Sequence, residues 1–233
     1  MKRLYWLLTV GSIVGLSGQV NAITIDFESI PGSMPMEGLA ISNQFEATAG
    51  VTFSLSDGTS PVLADVGGAR TAFQGPGNGN DNVVAGEDVG NFFLTDDGLT
   101  SGTATPTLIV SYSTATQNVS GEILDIDFNE SFVITAFDAL TGGSVLETVT
   151  INAGDADTGN GVATNWSISR ASADILRLEF AGTRSGFGFF GLGFDNFNSG
   201  VDTSGTTVVP LPAAGVLLLS GIAGLFVLRR RRS

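Results

Sequence analysis

The chain has 233 residues, 42% of them hydrophobic and only 14% charged, with 16 Phe, 32 Gly, no His and no Cys. Lys2 and Arg3 open it and Arg229, Arg230, Arg231 and Arg232 close it, so the interior sets four arginines against all 23 acids; the resulting balance of −19 repels nucleic-acid phosphates and anionic lipid surfaces. Without His or Cys the usual base for a serine nucleophile, the thiolate nucleophile and the two best zinc ligands are missing, which removes most hydrolase and redox schemes and predicts a non-catalytic protein.

Residues 1–22, MKRLYWLLTVGSIVGLSGQVNA, combine a basic start, an apolar stretch over 4–16 and small residues at Val20 and Ala22. That is the pattern of a secretory signal peptide cut after Ala22. A membrane anchor needs about 20 apolar residues, and Ser17, Gln19 and Asn21 interrupt the run too early. An exported chain without cysteine has to rest on its apolar core instead of disulfides.

The body, 23–200, shows no long stretch with a 3.6-residue apolar period. It has many short alternating or β-branched runs divided by Gly, Asn, Asp and Ser. In chain order the predicted strands are ITIDF (23–27), VTFSL (51–55), NFFL (91–94), TLIVSY (107–112), EILDIDF (122–128), SFVITAFDAL (131–140) and ILRLEF (175–180). Strict alternation places Leu124, Ile126 and Phe128 on one buried face, with Asp125 and Asp127 opposite. It likewise sets Leu176, Leu178 and Phe180 against Arg177 and Glu179. The 131–140 run is apolar on both faces and suits a central strand. Turn signals fall between the runs at Asp57-Gly58, Asp97-Gly98 and 141–143. About ten to twelve strands imply two packed antiparallel sheets, so the predicted fold is an all-β, jelly-roll-like β-sandwich with a signal helix before it and a hydrophobic helix after it. GPGNGNDNV at 75–83 has no helix behind it and reads as a surface loop, not a phosphate loop. DADTGNG at 155–161 resembles an acidic calcium loop but has Gly159 where a third oxygen ligand belongs and Trp166 at the twelfth position, so it reads as a polar hairpin.

Residues 201–208, VDTSGTTV, are a short polar linker. Beyond them the chain reads VPLPA, then an apolar run over 213–228 about 24 Å long as a helix, then the four arginines. Val209, Pro210, Leu211, Pro212 and Ala213, followed by the short helix and arginine cluster, resemble the VPLPA variant of the PEP-CTERM sorting signal. The resemblance implies export and transient insertion in the inner membrane of a Gram-negative bacterium, recognition by an exosortase-type membrane protease, cleavage near the prolines, and delivery to the cell surface or an extracellular polysaccharide matrix. It is a resemblance of the tail alone. A plain tail-anchored protein on the periplasmic face, with its arginines kept inside, is the alternative.

The body also resembles the β-sandwich ectodomains that precede such tails, through its opening ITIDFE and closing GFGFFGLGFDNF. Jelly-roll carbohydrate-binding modules hold a structural calcium between their first and last strands. That likeness implies a Ca²⁺ site at Asp26, Glu28 and Asp195, whose hard oxygens suit the ion; otherwise these acids cover a strand's solvent face. Paired carboxylates such as Asp125 with Asp127, or Asp96 with Asp97, are sequence neighbours and do not predict a glycosidase cleft. The reading is a non-catalytic sorted β-sandwich, with a carbohydrate-binding module as a further alternative: with Tyr5 and Trp6 lost in the signal peptide, Trp166 and Tyr112 are the remaining candidates for stacking a sugar ring, and the 16 Phe, which lack a polar edge, read mostly as core packing.

Overall fold

The computed structural model describes residues 23–68, 83–96, 104–186 and 191–201. The predicted signal peptide, nearly all of the 75–83 loop, the linker after Val201 and the sorting motif with its helix and arginines lie outside them.

The alternating runs become strands: β1 (Thr24–Ile25), β2 (Val51–Leu55), β3 (Val62–Asp65), β4 (Phe92–Thr95), β5 (Leu108–Thr116), β6 (Asn118–Leu124), β7 (Glu130–Phe137), β8 (Val145–Asn152), β9 (Ala163–Ser169), β10 (Ile175–Arg184) and β11 (Gly193–Asn198). One short helix, α1 (Glu46–Ala49), precedes β2 and ends on Gly50 in the left-handed region. None of the described helices is long and apolar enough to cross a membrane.

All described strands pair antiparallel, in two sheets. One runs β3-β4-β11-β6-β9, with β1 added on β11; the other runs β2-β5-β10-β7-β8. Inward residues of both sheets, among them Phe53, Leu108, Val110, Phe132, Ile134, Leu178 and Phe180 from one and Ile123, Trp166, Ile168, Phe194 and Phe197 from the other, form one continuous core. Phenylalanine dominates its centre. Phe194 lies 5.0 Å from Phe180 and 5.3 Å from Phe197, and Phe27, Phe45 and Phe53 close the cluster at 5.9–6.2 Å, in the edge-to-face and tilted arrangements that aromatic quadrupoles favour.

Two expectations change. β6 stops at Leu124 because Asp125 takes φ 62°, so the alternation of EILDIDF ends there; Ile126 is still buried but Phe128 is exposed. β10 carries a register shift between Ile175 and Arg177, which leaves Leu176 only half-buried and lays Arg177 beneath the 138–144 loop, where its guanidinium donates to the carbonyls of Ala139 and Gly142 at 2.9 and 3.0 Å. The 131–140 run does supply an interior strand, β7, set between β10 and β8.

Candidate functional site

The predicted acids meet beside β11. β1 pairs with it, Ile25 opposite Phe197, and β6 flanks its other side with Glu122 opposite Asp195. The β11–β6 register shifts between Asp195 and Asn198, and Asn196 takes φ 50°, so the strand kinks at the acid. Phe27, between Asp26 and Glu28, has φ 57°; its ring enters the core while Asp26 stays exposed and Glu28 half-buried.

Asp195 is 0% exposed, and neither of its carboxylate oxygens has a hydrogen-bond partner. Burial pushes its carboxyl up to about 8; Glu122, Asp26 and Glu28 push the same way, while the Asn196 amide pulls it down without reaching hydrogen-bond geometry. Asn196 Nδ2 donates to Glu122 Oε2 at 2.9 Å and to the Asp88 carbonyl at 2.5 Å. Glu28 accepts from the amides of Asn91 and Phe92 and from Asn91 Nδ2, tying β4 to the same corner; a Cβ at Gly90 would overlap this carboxyl. The described arginines pair elsewhere, with Asp174, Glu179 and Glu130, so no cationic side chain among them offsets the cluster.

An orphaned buried carboxylate facing three other acids is the donor chemistry of a hard divalent cation. As placed, no group of three or more acidic side chains among the described residues encloses a metal position, so the fit lies in donor type and charge, and an ion would have to draw the carboxylates together. Glu122 is the member that sequence reading missed. Its signal was its polar position in the EILDIDF alternation, but only the pairing of β6 with β11 sets it against Asp195.

Trp166 and Tyr112 are not open stacking platforms. Trp166 is 4% exposed with its ring stacked 6.3 Å from Phe197, and Tyr112 is 2% exposed, its hydroxyl pushed well above the usual phenol range by burial. The two-residue period of β9 and β5 points both rings into the core.

A different surface is concave. The turn between β5 and β6 crosses from one sheet to the other, since Thr116 faces Ile175 while Asn118 faces Ser169. At this corner lies a groove of about 770 Å³, lined by the polar Gln117, Asn118, Ser169 and Asn198 and the apolar Val119 and Ile168 among others, and none of the described residues in its wall is charged or aromatic. Ser169 Oγ donates to Asn118 Oδ1 at 2.7 Å, Asn198 Oδ1 accepts from the Gly200 amide at 2.9 Å, and the Arg170 amide holds the Gln117 carbonyl at 2.8 Å. Gly200, at φ 65°, packs against the Asn118 carbonyl where any Cβ would overlap it, so glycine is required to bring Val201 to the groove's edge. Hydroxyls and amides offer both donors and acceptors without charge, which suits an uncharged, hydroxyl-rich ligand.

No family model matches the chain, and no curated protein matches it. Solved structures similar to it include the carbohydrate-binding module TmCBM61 in complex with β-1,4-galactotriose, at 12% identity over 67% of this chain and 92% of that one with a TM-score of 0.35. A non-crystalline cellulose-specific module, CBM28, matches at 15% identity over 72% and 96% with a TM-score of 0.39. A cleaved adhesin domain of the Lys-gingipain of Porphyromonas gingivalis matches at 14% identity over 64% and 89%, also at 0.39.

Proposed function

We propose that this chain is an exported, non-catalytic polysaccharide-binding protein: a jelly-roll-type sandwich whose end strands are joined by a divalent cation. The observation that carries the reading is the uncharged groove at the β5–β6 corner, where hydroxyls and amides alternate with Ala115, Val119, Ile168 and Val201, on a module (23–200) whose 22 acids and four arginines leave a balance of −18. A surface so acidic overall repels anionic polymers. A neutral wall within it is where a sugar chain can exchange its water hydrogen bonds for protein ones. The complete lack of His and Cys in the sequence supports binding over chemistry. A glycan array with the purified protein tests it: neutral oligosaccharides are expected to bind, and Gln117→Trp, which fills the groove, to weaken that binding at least tenfold. Retention of neutral glycans by the filled groove would move the site elsewhere, and a blank array would end the polysaccharide reading.

Delivery follows from the tail. We propose that an exosortase-type protease recognises Val209–Ala213 and that the arginine cluster is removed as the protein passes to the cell surface or matrix. The order of proline motif, apolar run and arginines supports this. Intact-mass measurement of native protein is expected to show a chain starting at Ile23 and lacking Arg229 to Arg232. A mass that keeps those arginines supports the tail-anchored alternative instead.

A further inference from the structure

We propose that Phe128 is a sugar-stacking residue, held outward at the end of the sandwich opposite the β5–β6 corner; the proposal rests on the polysaccharide reading above. Two costs meet at this one residue. The residue is 74% exposed, the one aromatic residue among those described left open to solvent, while the others are buried or half-buried. Its backbone is also strained: φ is 46°, left-handed, which is an outlier for a bulky residue.

The turn shows how unusual the choice is. The Glu130 amide donates to the Asp127 carbonyl at 3.0 Å, so Phe128 is the first corner residue of a 127–130 turn. A positive φ at that corner is ordinarily given to glycine. This chain has 32 glycines and uses one at many of its other left-handed positions, yet places a phenylalanine here. In the folded protein alone the ring gains one cation–π contact, to Arg184, while most of the residue stays in water, and strain of this kind gathers at ligand clamps.

The surroundings are fixed and polar. Asp125 Oδ1 accepts from the Gly161 amide, and the Ser185 amide donates to the Asn129 carbonyl at 3.1 Å, which ties the loop to its neighbours on both sides. The Arg184 guanidinium stands 5.5 Å from the ring centroid and pairs with Glu130 at 3.8 Å, and the Asp127 amide meets Glu130 Oε2 at 3.3 Å. The exposed ring offers an apolar face on which the C–H face of a pyranose can stack, beside the Arg184 guanidinium, whose partner Glu130 is itself buried. A lipid surface is a poorer occupant, because one ring is a weak anchor and the −19 interior opposes anionic headgroups.

Phe128→Asn separates the roles, since asparagine tolerates the left-handed region and removes the ring. With the full chain, calorimetric titration with cellotetraose, xylohexaose and β-1,4-galactotriose is expected to show affinity for at least one, reduced about tenfold or more in Phe128→Asn, while the Tm holds or rises. Phe128→Tyr, which keeps the stacking face, should retain most of the affinity. If Phe128→Asn binds as well as the parent while Gln117→Trp does not, the stacking role is overturned and the groove stands. A fall of several degrees in Tm with affinity unchanged assigns the ring to structure and overturns it as well. If the parent binds none of the three, the proposal fails with the reading beneath it.

Discussion

Asp195 and Glu130 are buried acids that behave alike in the titration of the folded protein. Burial is the leading cause for both, and each carboxyl is pushed up to about 8, Glu130 further by Asp125 and Asp127 while the Asp127 amide and Arg184 oppose it. An acid with a raised folded pKa contributes stability that is complete below its unfolded value, near 3.8 for Asp195 and 4.5 for Glu130, and is lost as pH rises through about 8. Between those limits the native state binds more protons than the unfolded chain, so stability falls with pH by up to about 1.4 kcal/mol per unit for each group. In EDTA, the Tm is therefore expected to be higher at pH 5.5 than at pH 8, against the usual direction of acid denaturation. Self-repulsion of the acidic body acts in the same direction. The decisive comparison is the double variant Asp195→Asn with Glu130→Gln, which should flatten most of the slope; an undiminished slope assigns it to general charge.

At the scale of elements, the sequence was legible wherever alternation persisted. VTFSL is β2 to the residue, and the run at 131–140 becomes an interior strand with Phe132, Ile134 and Ala136 fully buried on one face. It failed where the backbone left the extended region at a non-glycine residue. Asp125 and Phe128 turn the chain inside what reads as one continuous strand, because a pattern of residue types reports which face is apolar and not where φ changes sign. The site was half legible for the same kind of reason. β1 and β11 do pair, which brings Asp26 and Glu28 close enough to raise the Asp195 carboxyl, but the three do not form a ready metal cluster, and Glu122 joins them through a β6–β11 pairing between residues about 70 apart in the chain. Trp166 and Tyr112 were nominated by residue type alone, and two-residue periodicity places both in the core. The groove at the β5–β6 corner had no sequence signal, because Ser, Thr, Asn and Gln are common on any strand surface.

Taken whole, the molecule is a large non-local β-fold with a strongly acidic interior balance and no disulfides, so whatever joins its first and last strands has leverage on the entire sandwich. β1 is two residues long and pairs with β11, Glu28 just after it is bonded to the Phe92 amide of β4, and Glu122 of β6 lies opposite Asp195, so the acids around the buried Asp195 carboxyl come from or are tied to four strands of one sheet. A divalent cation there would replace mutual repulsion with shared attraction and displace the proton that Asp195 otherwise holds below about pH 8. Binding to the folded state alone adds about 2.7 kcal/mol at a hundredfold excess over Kd, which for a domain of this size corresponds to a Tm rise on the order of 5–10 °C. Millimolar CaCl₂ is expected to give that rise relative to EDTA, NaCl at matched ionic strength to give much less because it only screens, and Asp195→Asn to abolish the difference. Calorimetry at pH 7 should also find close to one proton released per ion bound, a signature that screening cannot produce. Equal responses to calcium and sodium, or a full calcium response in Asp195→Asn, would mean that these acids hold no ion and that Asp195 is kept in the core as a neutral carboxylic acid.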